Sequence, residues 1–172
     1  PNGDIYIGDF GNNNQNRRDL QIARISKDSL ANPHTRPVQI THFYYPEQTD
    51  FTANKKKKSP SFNCEAMLVT ADYFYLITKV KNWRTQGPAV IYRIPNQAGN
   101  FAAEKWLELK HALTSPLETV TGAALTPSGK TAALPNHRSV YTFPMADLVA
   151  RKSLVLQHYS LGHHSQKDAI VF

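Results

Sequence analysis

One layout recurs along this chain: a short β-rich run, a polar loop, and a second β-rich run. It is seen in DIYIGDFGNNNQNRRDLQIARI (4–25), in FYLITKVKNWRTQGPAVIYRI (74–94) and in TAALPNHRSVYTF (131–143). A unit that repeats at intervals of several tens of residues constrains architecture more than any single motif does. Alignment by position sharpens the repeat. Cys64-Glu65-Ala66-Met67-Leu68 matches Thr121-Gly122-Ala123-Ala124-Leu125 and Lys167-Asp168-Ala169-Ile170-Val171. Ile22-Ala23-Arg24-Ile25-Ser26 matches Ile91-Tyr92-Arg93-Ile94-Pro95 and Val140-Tyr141-Thr142-Phe143-Pro144, and the spacings run from 46 to 69 residues.

Four short antiparallel strands at about that period describe a blade of a β-propeller. With strands lettered A to D from the channel outward, blade one (4–45) lacks A and keeps B at 4–10, C at 20–25 and D at 38–45. A polar insertion at 46–62 carries a lysine run. Blade two (63–110) has A at 63–70, B at 73–79, C at 89–94 and D at 105–110. Blade three (120–159) has A at 120–126, B at 131–134, C at 139–143 and D at 154–159, with one helical turn expected near Met145–Arg151. Residues 167–172 begin blade four. The expected fold is therefore all-β: a propeller fragment of two complete and two partial blades. A ring of about six blades needs roughly 300 residues, so both ends read as cut, and the remaining blades of the same chain are its first expected partners. The rival is an ordinary two-layer β-sandwich, which gives no reason for one strand pattern to recur three times.

Composition narrows the function classes. Hydrophobic residues make up 41% of the 172 residues, enough for a packed core. No apolar run reaches the ~20 residues of a membrane-spanning helix. The formal charge of +7 owes four positives to Lys55–Lys58. A like-charge run of this kind is first a solvated loop tip, and otherwise a docking point for a partner. Nucleic-acid binding would interleave basic residues with stacking aromatics on one face, and no such stripe is visible. Cys64 is the single cysteine, so no internal disulfide can form.

In a propeller, the starts of the inner strands and the loops between B and C meet at one mouth of the channel. The inner-strand starts supply Glu65, Gly122 and Asp168; the B–C loops supply Asp9, Asn12, Asn13, Lys79, Asn82, Trp83, Asn136 and His137. Asp9, Asn12, Asn13, Glu65, Lys79, Asn82, Trp83 and Asp168 are the candidate ligand-binding set. Converging carboxylate and amide oxygens are what a hard cation such as Ca²⁺ takes, with Glu65, Asp168 and Asn12 as its candidate ligands. A positioned carboxylate there could also act as a general base. The competing reading is structural: Asn, Asp and Gly favour tight loops because they tolerate positive φ and bond their own backbone. No catalytic residue is assigned. Asp9-Phe10-Gly11 spells the kinase metal-loop triplet without its companion motifs. Cys64 reads as core, His158, His163 and His164 as bystanders, and Trp83 as a packing residue before a stacking one.

The residues IYIGDFGNN, FYYPEQTDF, NCEAM, AVIYRIP and the later TGA resemble a family of bacterial secreted β-propeller proteins tied to no known reaction. That resemblance covers nearly the whole chain and implies an extracellular or periplasmic location. Here Gly122 stands where the family carries an acid, and Asp168 where it carries Glu. A looser, fold-level likeness is to six-bladed calcium-dependent lactonases and phosphotriesterases. Two functions are expected in consequence. One is a module binding a small molecule, glycan or protein at the channel mouth. The other is a calcium-dependent hydrolase of the lactonase or phosphoesterase type.

Overall fold

The structure is a computed structural model and describes residues 3–53, 61–79, 88–109 and 119–163, with residues 165, 167 and 170. The described residues are all-β apart from one short α-helix and a 3-10 turn at Lys27–Ser29. In order, the strands are β1 (Ile5–Asp9), β2 (Leu20–Ile25), β3 (Gln39–Tyr44), β4 (Cys64–Val69), β5 (Tyr73–Thr78), β6 (Ala89–Pro95), β7 (Gly99–Ala102), β8 (Glu104–Leu109), β9 (Ala124–Leu125), β10 (Thr131–Pro135), β11 (Ser139–Pro144) and β12 (Gln157–Ser160). Helix α1 (Met145–Val149) follows β11 directly, at the expected helical turn. The lysine run 55–58 lies outside the described residues.

Three four-stranded sheets result, in the orders β1-β2-β3-β7, β4-β5-β6-β8 and β9-β10-β11-β12. Within each, the strands expected from the repeat pair antiparallel with their sequence neighbours. The largest departures from the expected boundaries are in the third sheet. The inner strand of the third sheet is only Ala124–Leu125, and its outer strand begins at Gln157 rather than Leu154. Leu154 and Leu156 still pack against the core, but without ladder hydrogen bonds.

The sheets stack in series rather than as two facing layers. One core lies between the first and second sheets and includes Leu20, Ile22, Phe43, Phe74, Leu76, Tyr92 and Ile94. The other lies between the second and third and includes Leu68, Ile77, Ile91, Leu134, Tyr141 and Phe143. The second sheet is thus covered on both faces. Sequence shows this directly: β5, YFYLIT, is a continuous apolar run with five of its six residues buried, as a doubly covered strand requires. By contrast β3, QITHFY, buries only Thr41 and Phe43 and exposes Ile40, His42 and Tyr44, the alternation of a strand covered on one side. Each fully buried Phe, Leu or Ile contributes about 1.5–3 kcal/mol.

The fourth strand of the first sheet was not expected. After β6 the chain leaves the second sheet, and β7 pairs parallel with β3 (Thr41 with Gly99, Phe43 with Phe101) before returning as β8. Thr41 Oγ1 donates to the Gln97 carbonyl at 2.8 Å, and Ala103 N–H donates to the Tyr44 carbonyl at 2.8 Å. The second sheet therefore clasps the outer edge of the first.

Candidate functional site

The β1–β2 loop and the start of β4 meet. Asn63, just ahead of β4, joins them. Its Oδ1 accepts from Asn12 N–H at 2.6 Å, and its Nδ2 donates to Asn13 Oδ1 at 3.0 Å and to Glu65 Oε1 at 2.8 Å. The Asn63 carbonyl also accepts from Lys79 N–H at 2.7 Å. Lys79 Nζ lies 3.7 Å from the same Glu65 oxygen. Asn12, Asn13, Glu65 and Lys79, from two neighbouring sheets, are therefore one hydrogen-bonded group.

The group has a buried side and a wet side. Asn12, Gln15, Gln48 and Asn63 are all buried. Asn12 Oδ1 accepts from the backbone amides of Asn16 at 3.0 Å and Arg17 at 3.1 Å, and its Nδ2 donates to Gln48 Oε1 at 3.3 Å. Gln48 Nε2 in turn donates to the Gln15 carbonyl at 2.8 Å. Buried amides of this kind must be bonded, since each orphan would cost about 1–3 kcal/mol. Asn12 is thus a loop-shaping residue whose oxygen is occupied. On the wet side, Asn13 is exposed, and the Glu65 and Lys79 side chains keep about a third of their surface in solvent (30% and 33%).

Glu65 reaches this position through a bulge. Cys64 pairs with Thr78 and Ala66 with Ile77, so Glu65 is left between them. Such an extra residue re-aims a side chain. The bulge also affects the alignment. Thr70 N–H bonds the Tyr73 carbonyl and Thr126 N–H bonds the Thr131 carbonyl, which makes those two threonines equivalent. Counted back from that turn, the ladder sets Leu125 level with Val69 and Ala124 level with Leu68, and the bulge leaves Glu65 without a counterpart. Thr121 is buried and donates to the Pro135 carbonyl at 3.3 Å.

Asp9 stands apart. Arg17 Nη1 holds its carboxylate at 2.7 Å, and this hydrogen bond lowers the Asp9 pKa below the ordinary value. Arg17 also bonds Asp19 at 2.9 Å and the Gly11 carbonyl at 3.2 Å. Asn136 is buried, and its Oδ1 closes the β10–β11 turn by accepting from Arg138 N–H at 2.8 Å and Ser139 N–H at 2.7 Å. Asn82, Trp83 and Asp168 lie outside the described residues. Among the described residues no three His, Cys, Asp or Glu side chains gather as a metal cluster.

Cys64 is 1% exposed, and burial pushes its thiol up to about 12. It stays protonated at neutral pH and is a core residue, as expected. His158 bonds Ser139 Oγ at 2.7 Å and lies against Tyr141, a packing role. Sequence reasoning missed Asn63, Gln48 and Gln15. Asn63 sits beside Glu65 in NCEA, and its position one residue ahead of an inner strand was the available signal. Gln48 and Gln15 carry no local signal, because their burial depends on contacts between distant loops.

Comparison with protein-family models, with curated proteins and with solved structures finds no match to the chain.

Proposed function

We propose that this chain is part of a β-propeller of an exported bacterial protein, and that it binds a polar ligand at the rim formed by Asn13, Glu65 and Lys79. One observation carries the reading. A buried amide, Asn63, ties a loop of one sheet to a carboxylate of the next, with the contact atoms 2.6–3.0 Å apart, and the Lys79 ammonium lies 3.7 Å from that carboxylate. Preorganised donors and acceptors on rigid elements, backed by a buried layer, are what a recognition site needs. Three sheets packed in series support the propeller, because a sandwich would have a single interface. The exposed amide, carboxylate and ammonium suit a hydroxyl-rich ligand such as a glycan, whose groups both donate and accept.

Binding is favoured over calcium-dependent hydrolysis by the charge at Glu65. An ammonium 3.7 Å from its carboxylate oxygen occupies the place a cation would take and opposes a second positive charge. The amide oxygen of Asn12, meanwhile, is engaged by two backbone N–H groups.

Calorimetric titration against a panel of neutral and acidic oligosaccharides, and separately against Ca²⁺, tests the proposal. Saccharide heat that disappears in Glu65→Gln and Lys79→Met, with no calcium heat, is expected. Calcium binding that Glu65→Gln abolishes would replace this reading with the hydrolase. No heat from any saccharide, with fold intact, would overturn it.

A further inference from the structure

Two adjacent arginines in the β1–β2 loop have opposite surroundings. Arg17 is engaged within the loop: its guanidinium bonds Asp9 at 2.7 Å, Asp19 at 2.9 Å and the Gly11 carbonyl at 3.2 Å. Arg18 is exposed, and its guanidinium carbon lies 3.5 Å from the centre of the Phe51 ring. Among the described residues its N–H groups meet no acceptor. The carboxylates nearest in sequence are committed elsewhere. Asp19 is held by Arg17, and Asp50 accepts from Thr52 N–H at 2.8 Å. Arg24, Arg93 and Arg151 each pair with a carboxylate. Stacking fixes a guanidinium through its face and leaves its N–H edge open. That edge is a planar fork matched to the two oxygens of a carboxylate.

The stacked pair is mounted on the buried layer of the rim. Arg17 N–H, one residue before Arg18, bonds Asn12 Oδ1 at 3.1 Å, and Asn12 N–H bonds Asn63 at 2.6 Å. Phe51 stands three residues after Gln48, which bonds Asn12 and the Gln15 carbonyl. The amides that set Asn13 and Glu65 therefore also hold both halves of the stack. At the rim itself, donors outnumber acceptors. Lys79 Nζ is 3.7 Å from Glu65, beyond hydrogen-bond reach. Asn13 Oδ1 already accepts from Asn63, so its N–H₂ group is what it has left to offer. Glu65 Oε1 is engaged by Asn63, which leaves Oε2 as the acceptor. A sugar hydroxyl brings a donor with every acceptor, whereas a carboxylate only accepts.

We infer that Arg18, stacked on Phe51, is a second binding point of this site, and that the ligand is an acidic oligosaccharide. Its carboxylate takes the open edge of the guanidinium, and its hydroxyls take Asn13, Glu65 and Lys79. The inference rests on the reading of the rim as a saccharide site and narrows that reading to one class. Phe51 is a positioning residue, acting through Arg18.

The test is calorimetric titration with oligogalacturonate and oligoalginate, each beside its own carboxyl-reduced, neutral form, at low and high salt. The acidic form is expected to bind about tenfold or more tightly, with the gap narrowing as salt rises. Arg18→Gln should close the gap by weakening the acidic ligand alone. Arg18→Lys, which keeps the charge and loses the fork, should restore part of it. Phe51→Leu should weaken the acidic ligand and add nothing to Arg18→Gln, the coupling of a residue that acts through another. Should Arg18→Gln fail to fold, the paired ligands on the parent and on Arg18→Lys still decide. Equal or tighter binding of the neutral forms would overturn the inference and leave the saccharide site standing. A preference for the acidic form that survives Arg18→Gln would do the same. Heat from no saccharide, acidic or neutral, would overturn the site itself and the inference with it.

Discussion

The Arg93 guanidinium lies 3.6 Å from the centre of the Trp106 ring, and Arg151 approaches the same ring at 4.7 Å. Arg93 also covers Tyr73 at 4.3 Å and pairs with Glu104 at 2.6 Å. Trp106 is 8% exposed, and its Nε1–H donates to the Leu148 carbonyl at 2.7 Å. One indole therefore pins the outer strand of the second sheet to the helix of the third.

Trp106→Ala is expected to cost about 3–5 kcal/mol, as for other buried aromatics. Trp106→Phe should cost about 1 kcal/mol, because it keeps most of the apolar area and loses the hydrogen bond. Urea unfolding of the two variants beside the parent checks the ranking. Equal losses would show that the N–H, and not the ring, holds the contact.

Asn63→Ala removes the acceptor for a buried amide and two donor contacts at once. A loss of about 2–3 kcal/mol is expected, with faster exchange of the Asn12 amide. Asn63→Asp keeps the acceptor for Asn12 but places a carboxylate oxygen where Nδ2 now lies, 2.8 Å from Glu65. Its stability should recover as pH falls and one of the two carboxylates is protonated. A flat pH profile for this variant would contradict the geometry.

Gly8 has no room for a side chain. A Cβ there would stand 2.1 Å from the Phe10 ring, which packs beside Phe43 in the core between the first two sheets. Gly8→Ala should destabilise by about 1–3 kcal/mol through overpacking. Adding Phe10→Leu should restore part of that loss, a coupling that a double-mutant cycle in urea would measure.

Acid should weaken the first sheet early. Lys27 N–H and Arg24 both bond the Asp4 carboxylate, at 3.1 and 2.7 Å, and lower its pKa below 3.8. Asp9 is lowered in the same direction by Arg17. A carboxylate with a depressed folded-state pKa adds stability that is complete above its unfolded value and is lost as pH falls through the folded one. Urea midpoints are therefore expected to decline below about pH 4, and the decline should be shallower in Asp4→Asn. An unchanged slope in that variant would remove Asp4 from the account.

The strands were legible because period-2 runs such as ITHFYY and the unbroken YFYLIT reflect how many faces each sheet covers. The polar loops were legible too, and Asn12, Asn13, Glu65 and Lys79 do converge. Two things lay beyond local sequence. GNFA at 99–102 has a glycine and an asparagine in four residues, and it forms a strand only because Gln39 and Thr41 of the neighbouring sheet hold the loop ahead of it. The bulge leaves Glu65 outside the ladder, and nothing in CEAML marks it. Asn63, the centre of the site, was passed over because a single buried amide has no pattern; its role exists only once two loops meet.

The clasp of β7 on β3 sets how this molecule comes apart. The first two sheets share backbone hydrogen bonds, whereas the third is held to the second chiefly by side-chain packing and the Trp106 anchor. Pulling or heating should therefore detach the third sheet as a separate event, while the first and second melt as one cooperative block.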